Sequence, residues 1–169
     1  MIFDDQTKRY ISDSFLIAVY LDETYPDTPQ LVPHGTYALH VAFLAHFSSF
    51  VNGNVATLII PTFLSILNPV SSAFVQENYF SSAPIPTPSE EKWKKLEKEV
   101  FAKVVAWYKS PDDLFFNGTD KPGFADVQLV ASFQWMKALW GADSDEWKRV
   151  QGWHGGKWAK SDAAMSRFY

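Results

Sequence analysis

The stretch YISDSFLIAVYLDETYP, residues 10–26, decides how the rest of the chain is interpreted. Ser12, Asp13 and Ser14 are three consecutive residues that favour the N-cap position of a helix. They precede an unbroken apolar run, Phe15 to Leu21, and the polar residues after it extend the pattern into a last turn. A largely buried helix of about three turns fits this segment better than a buried strand does.

The amino-terminal end of this predicted helix is the best candidate for a binding site in the sequence. The first backbone N–H groups of a helix lack intrahelical partners and carry partial positive charge, so this end attracts anions. The Ser14 hydroxyl can hold a ligand carboxylate there, and the Asp13 carboxylate can accept hydrogen bonds from a ligand ammonium group. Ordinary N-capping explains the same residues, and from spacing alone it is the simpler interpretation.

The segments on either side of the helix predict the domain organisation. Apolar patches around a turn-prone polar segment predict a small β-hairpin within residues 2–11. After the helix, the proline-rich segment YPDTPQLVPHG excludes regular structure. We therefore predict a small unit at residues 1–26, a linker at residues 27–34 and a helical unit at residues 35–169.

From Thr36 onward the apolar pattern is helical. The segment TYALHVAFLAHFSSFV places Phe43, Phe47 and Phe50 on one stripe, and the sequence NGN at residues 52–54 predicts a break or kink. The three phenylalanines are candidate wall residues of a hydrophobic ligand site. Burial in the core is the simpler role for any one of them.

Two further segments carry prolines that limit helices. Residues 55–75 form the most apolar window of the chain, and their prolines and lack of basic flanks favour a buried, proline-broken helix over a membrane span. Thr87 as a cap, Pro88 at the first helical position and Glu90 in a capping box predict another helix start. This helix is predicted to end near Ser110.

A second capping signal predicts the central helix of the helical unit. A loop ends at Gly123, and Asp126 follows three residues later, which is the spacing of a glycine N-cap and a carboxylate that returns to it. Between Val127 and Trp140, apolar side chains cover nearly every direction around the helix. Such a helix belongs in the centre of its domain.

Composition excludes several classes of function. The chain of 169 residues has no cysteine, which excludes thiolate nucleophiles, disulfides and cysteine metal sites. Its net charge of −4 argues against nucleic acid as a partner, and no two of its histidines stand three or four residues apart as a helical metal pair would. We predict no metal and no membrane contact, and a cytoplasmic location by default, because the first residues lack the pattern of a signal peptide.

The two helix starts resemble motifs of the cytosolic glutathione transferases. SDSFLIAVYLDETYPDTPQLVP resembles the last third of that family's thioredoxin-like domain with its linker, and NGTDKPGFADVQLVASFQWMKALWG resembles its sixth helix. The combination is most similar to fungal glutathione transferase-like proteins of the ustiloxin-pathway type. The resemblance implies a mainly α fold, in which the family's all-helical C-terminal domain follows a truncated thioredoxin-like remnant of one short β-hairpin and one helix.

The resemblance also implies a ligand. In that family a pair formed by an acidic residue and a serine binds the γ-glutamyl end of glutathione, and Asp13 and Ser14 match this motif. Gly123 stands where the family has Ser or Thr, whereas Asp126 is retained. Glutathione is therefore the expected ligand or co-substrate, with no other cofactor, alongside small hydrophobic molecules. A homodimer and a role in detoxification are further implications.

The same resemblance leaves the activity open. Family members begin with a strand, a helix and a strand that carry the thiol-activating residue and a cis-proline, whereas this chain starts at about the strand that follows. We therefore assign no catalytic residue and expect a catalytically incomplete glutathione transferase-like protein. The alternative is a non-catalytic dimerisation or ligand-carrier module. A lone hairpin is marginal in water, so we expect a symmetry mate, a swapped segment or the helical domain to cover the strand at Ile2 and Phe3.

Overall fold

The computed structural model describes residues 1–82 and 84–168, and it is mainly helical. Strand β1 (Ile2–Asp4) pairs antiparallel with β2 (Arg9–Ile11), and helix α1 (Ser14–Thr24) follows. The predicted hairpin and the helix after it are therefore confirmed. Phe3 is 49% exposed in the single chain, so the helical unit does not enclose this strand.

The remaining helices confirm the predicted fold class. They are α2 (Tyr37–Phe47), α3 (Gly53–Ile66), α4 (Pro69–Tyr79), α5 (Glu90–Lys95), α6 (Ala102–Val105), α7 (Phe124–Trp140) and α8 (Asp145–Met165), followed by a 3₁₀ turn at Ser166–Phe168. Helix α8 is interrupted by non-helical backbone angles from Trp153 to Gly156. In the described residues the sheet is limited to the two short strands, so helices form almost the whole core.

A polar network ties the hairpin to α1. The Asp4 carboxylate accepts hydrogen bonds from the hydroxyls of Tyr20 (2.5 Å) and Tyr25 (2.7 Å). On the opposite side of α1, Phe15 is buried, whereas Leu16 is 47% exposed and faces solvent. The expectation of a largely buried α1 is therefore wrong for part of its surface, because Leu16 and Leu21 are not covered within the described residues.

The segment between α1 and α2 is held by hydrogen bonds from its backbone to the Asp22 side chain and by an apolar cluster. The Asp22 carboxylate accepts from the backbone N–H groups of Leu31 (3.0 Å) and Val32 (2.7 Å). A small buried cluster then joins α1 to the start of α7; its members are Phe15, Ala18, Val32 and Phe124. The proline-rich segment is irregular, as predicted, but it is fixed to its neighbours.

Helices α2 and α3 form one continuous helix, because a π-helical turn at Ser48–Asn52 connects them. Of the break or kink predicted at residues 52–54, the break does not occur, because the helix continues with Val51 and Val55 fully buried. The irregularity is the π-turn that ends at Asn52, which absorbs one extra residue. Pro61 lies inside α3, and the helix breaks only before Pro69, which is the first residue of α4. The sequence predicts that Pro61 breaks the helix, and this prediction is wrong.

The continuous helix Tyr37–Ile66 is long and apolar enough to cross a membrane by length and composition alone, with a mean hydropathy of 1.4. The core helices of soluble proteins meet the same criterion. Part of the helix belongs to the main core, where Val51, Val55 and Ile59 are fully buried.

The next helix begins later than predicted and ends earlier. Ser89, and not Thr87, is the N-cap, since its hydroxyl accepts from the N–H of Lys92 (3.3 Å). Ser89 directly precedes the helix and has the extended backbone that a cap requires, so it takes the role instead of Thr87. The helix passes through a second π-turn at Leu96–Phe101 and ends at Val105, short of the predicted end near Ser110.

The main core lies where α7 packs against α3, the second π-turn and α8. On α7, Leu129, Phe133 and Met136 are at most 1% exposed, which agrees with a central position. Trp135 on the same helix is 40% exposed, so the apolar residues that seemed to surround α7 do not all enter the core. The core is rich in stacked and edge-on rings, such as Phe101 with Phe133 at 5.4 Å.

Candidate functional site

Asp13 is the N-cap of α1, and its backbone is unusual. Its φ angle of 76° and ψ angle of 130° lie in a region that favours glycine. Its Oδ1 atom accepts from the N–H groups of Phe15 (2.9 Å) and Leu16 (3.1 Å). Among the described residues no hydrogen bond is seen to Oδ2. Asp13 therefore performs the capping role with one carboxylate oxygen, Oδ1.

A cavity of about 200 Å³, which we call the α1 pocket, opens at this turn. Three elements form its walls: the segment Asp13–Phe15, the end of α2 with its π-turn, and the first turns of α7. The side chains from the last two are Leu44, Phe47, Ser48, Asn52, Phe124 and Gln128. Among residues 1–82 and 84–168, Asp13 is the only ionisable side chain that lines it. The predicted anion-binding turn therefore borders an open cavity.

The three candidate phenylalanines do not share one position. Phe47 is 1% exposed and lines the α1 pocket together with Asp13 and Ser14. Phe43 and Phe50 do not line it and are partly buried against the main core. The Phe43 ring lies 5.5 Å from the Phe47 ring, so it supports the pocket wall from behind. The structure thus brings one of the three to the predicted binding turn.

Sequence reasoning missed two polar residues of the pocket, Asn52 and Gln128. The sequence predicts a break or kink at residues 52–54, whereas Asn52 occupies the last position of the π-turn. The Ser132 hydroxyl on α7 lies 3.0 Å from Asn52 Oδ1. The polar residues around Asn52, such as Ser48 and Asn54, gave no local signal that set Asn52 apart.

The start of α7 is fixed by the residues that the sequence singled out. Gly123 is the N-cap, and its N–H donates to Asp126 Oδ2 (2.8 Å). Asp126 Oδ1 accepts from the N–H of Phe116 (2.8 Å) in the preceding loop. Burial raises the pKa of the Asp126 carboxyl, and the two backbone N–H groups oppose that rise. This arrangement positions the turn that supplies Phe124 and Gln128 to the α1 pocket.

A larger opening, which we call the linker groove, has a volume of about 1070 Å³. It lies between the segment 28–31, the loop before α7, one side of α7 and the end of the chain, with Val127, Val130 and Met165 among its walls. None of the predicted ligand-binding residues lines it. Within residues 1–82 and 84–168, no three acidic or histidine side chains converge as a metal site would require.

Comparison with known proteins gives a consistent result. The family model for the glutathione S-transferase C-terminal domain matches residues 38–168. A solved glutathione S-transferase of Ceriporiopsis subvermispora in complex with glutathione is 36% identical, with a TM-score of 0.86, and the match covers 98% of this chain and 69% of that chain.

Two further solved structures agree with that match. Glutathione transferase GSTFuA3 of Phanerochaete chrysosporium is 32% identical with a TM-score of 0.85, covering 98% of this chain and 68% of that one. A second C. subvermispora enzyme, also in complex with glutathione, is 30% identical with a TM-score of 0.85, covering 98% and 69%. No curated protein matches the chain.

Proposed function

The chain belongs to the glutathione S-transferase family, and on that premise we propose that it binds glutathione in the α1 pocket, with the γ-glutamyl end at Asp13 and Ser14. The observation that carries this proposal is the cavity at the capped start of α1. Two of the similar structures are complexes with glutathione, which supports the choice of ligand.

The chemistry of the γ-glutamyl end fits the turn. Its α-carboxylate meets the exposed Ser14 hydroxyl and the positive end of α1, where the Phe15 and Leu16 N–H groups already donate to Asp13 Oδ1 and the Ser14 N–H has no acceptor among the described residues. Its ammonium group meets Asp13 Oδ2, which has no other partner among the described residues. A cavity of about 200 Å³ is smaller than typical pockets for whole ligands, so it suits this head group while the rest of the tripeptide extends outside it.

Small apolar molecules are the second ligand class that we propose; Phe47 lines the α1 pocket, so an apolar molecule bound there would compete with the γ-glutamyl end of glutathione. Phe47 is the only one of the three candidate phenylalanines that lines the α1 pocket. Phe43 acts behind it, because its ring lies 5.5 Å from the Phe47 ring and 5.9 Å from that of Trp107, which also contacts Phe50 at 6.2 Å. A wall fixed from behind in this way gives an apolar ligand a rigid surface.

The second candidate function is self-association or ligand carriage without turnover. Exposed apolar side chains on α2 and α4 favour it: Leu39 is 71%, Val70 81% and Phe74 59% exposed. Helix α4 has no buried residue at all. Apolar patches of this kind mark interaction surfaces in soluble proteins.

The expected cytoplasmic location stays a prediction.

Calorimetric titration with glutathione tests the main proposal. Asp13→Asn keeps a good N-cap but loses the charge that holds an ammonium group, so we expect about tenfold weaker binding with little loss of stability. Ser14→Ala should weaken binding to a similar degree. Unchanged affinity in both variants would contradict the proposal. Turnover of a hydrophobic electrophile with glutathione by the unmodified chain would favour an enzyme over a non-catalytic carrier.

A further inference from the structure

We infer that the helical unit itself recognises the head group of the ligand: the amides of Asn52 and Gln128 form the wall of the α1 pocket facing Asp13 and Ser14, and they hydrogen-bond an α-amino-acid head group there. The inference rests on the proposed glutathione binding and deepens it. The binding site would then be assembled from α1, the π-turn and α7 together.

The π-turn is the first observation that carries this inference. It spans Ser48–Asn52 inside an otherwise regular helix. One extra residue in a helix rotates the following side chains by about 100° around its axis relative to α2. Both ends of the turn, Ser48 and Asn52, line the α1 pocket. The irregular turn therefore presents polar side chains to the cavity, and such turns occur often at functional sites.

The Asn52 amide is held in place from a distant part of the chain. The Ser132 hydroxyl, itself 7% exposed, lies 3.0 Å from Asn52 Oδ1 and 3.0 Å from the carbonyl oxygen of Gln128. Because Oδ1 is engaged, the Nδ2 group is the half of the amide left for the pocket, and in the described part of the chain it has no partner. Ser132 is thus a positioning residue for Asn52.

Gln128 supplies the second amide. It lies one helical turn before Ser132 on α7, so both are on the same side of that helix. Its side chain lines the pocket, and no hydrogen bond to its amide is present among the described residues. A half-buried amide without a protein partner is poised for a ligand or for water, because desolvated polar groups need partners.

Together these groups define the class of ligand. Asp13 provides the pocket's one ionisable side chain and suits an ammonium group. The two amides, with Ser14 and the start of α1, offer N–H and O–H donors to a carboxylate. A zwitterionic α-amino-acid head group satisfies both sets, whereas a simple carboxylic acid leaves Asp13 without a partner. The pocket should therefore discriminate strongly against ligands that lack the α-amino group.

The test is calorimetric titration of the chain and its variants with glutathione and with γ-glutamylcysteine, which has the same head group. We expect Asn52→Ala and Gln128→Ala each to weaken both ligands about tenfold. Asn54→Ala is the matched control, because Asn54 lies two residues further along the same helix and donates to the carbonyl of Phe50 (2.7 Å) without lining the pocket. It should bind as the unmodified chain does.

Ser132→Ala tests the positioning role. It should weaken binding in the unmodified background and have a smaller effect in the Asn52→Ala background, where only its contact with the Gln128 carbonyl remains to be lost. If Asn52→Ala and Asn54→Ala weaken binding equally, the effect is a general one on the helix and the inference fails. If the unmodified chain binds glutathione and Asn52→Ala binds it equally well, the inference alone fails. No binding by the unmodified chain would overturn the proposed function as well.

Discussion

At the scale of single residues, Asp13 combines two demands that conflict. As a cap it needs a side-chain acceptor, yet its φ angle of 76° favours a residue without a side chain. Such strain costs about 1–3 kcal/mol, and it persists at binding sites where the surrounding structure enforces it. The next two residues, Ser14 and Phe15, line the α1 pocket together with Asp13.

We expect the strain at Asp13 to be visible in the order of two variants. Asp13→Ala loses the cap and keeps the strain, so the free energy of unfolding should fall by about 1–2 kcal/mol. Asp13→Gly also loses the side-chain cap but relieves the backbone, so it should fall by less. Urea denaturation measures both. A larger loss for Asp13→Gly would show that the backbone angle carries no strain.

The Asp4 carboxyl should make the stability of the hairpin depend on pH. Hydrogen bonds from the hydroxyls of Tyr20 and Tyr25 hold the pKa of this carboxyl well below its usual value of 3.8, and the same contact raises the pKa of Tyr25 to about 12. A lowered pKa means that the carboxylate stabilises the fold above pH 4 and that this contribution is lost as the pH falls further.

Thermal unfolding of the chain and of Asp4→Asn at several pH values measures this contribution. The melting temperature of the unmodified chain should exceed that of the variant at pH 7, and the difference should shrink below pH 4. A difference that does not change with pH would show that the charge on Asp4 is irrelevant to the network.

At the scale of elements, the π-turn at Ser48–Asn52 sets the relation between α2 and α3. Deleting the exposed Ser49 should restore a regular helix and rotate α2 by about 100° relative to α3. Phe47 would then leave its buried position, so we expect about 3 kcal/mol of lost stability and loss of glutathione binding. Ser49→Ala is the control, since it keeps the length of the turn. A deletion variant as stable as the control would contradict the argument.

The elements also show what local sequence predicts and what it does not. The helix starts at Ser14 and Phe124 follow from capping residues within three positions of each, so local signals were sufficient. Asn52 was predicted as part of a break or kink, because an asparagine beside a glycine is a local turn signal. Its partner Ser132 lies 80 residues away, and no local pattern reports such a contact. The tertiary contact outweighed the local preference.

The candidate site was predictable in the same partial way. Asp13 and Ser14 were found because a helix start has a recognisable pattern. Phe43, Phe47 and Phe50 share a stripe in the sequence, but which of them reaches α1 depends on the path of the helix through the π-turn. Packing of one element against another is a long-range property, so the wall of the pocket required the structure.

At the scale of the whole molecule, the exposed apolar side chains of α4 should drive self-association. Phe74→Glu places a charge on this surface, so we expect the average mass in sedimentation experiments to shift toward the monomer. Gln76→Glu adds the same charge on the same helix without removing an apolar group, and it should leave the mass unchanged. Equal behaviour of both variants with the unmodified chain would show that α4 lies outside the interface.

The linker groove has a practical consequence for titrations with apolar compounds. Its walls are largely apolar, and with about 1070 Å³ it is roughly five times as large as the α1 pocket at about 200 Å³. A dye or detergent can therefore bind in the linker groove as well as in the α1 pocket. Saturating glutathione should displace only the molecules of the compound that are bound in the α1 pocket. The number of molecules that remain bound per chain after this competition therefore identifies where the compound binds, which a dissociation constant alone does not.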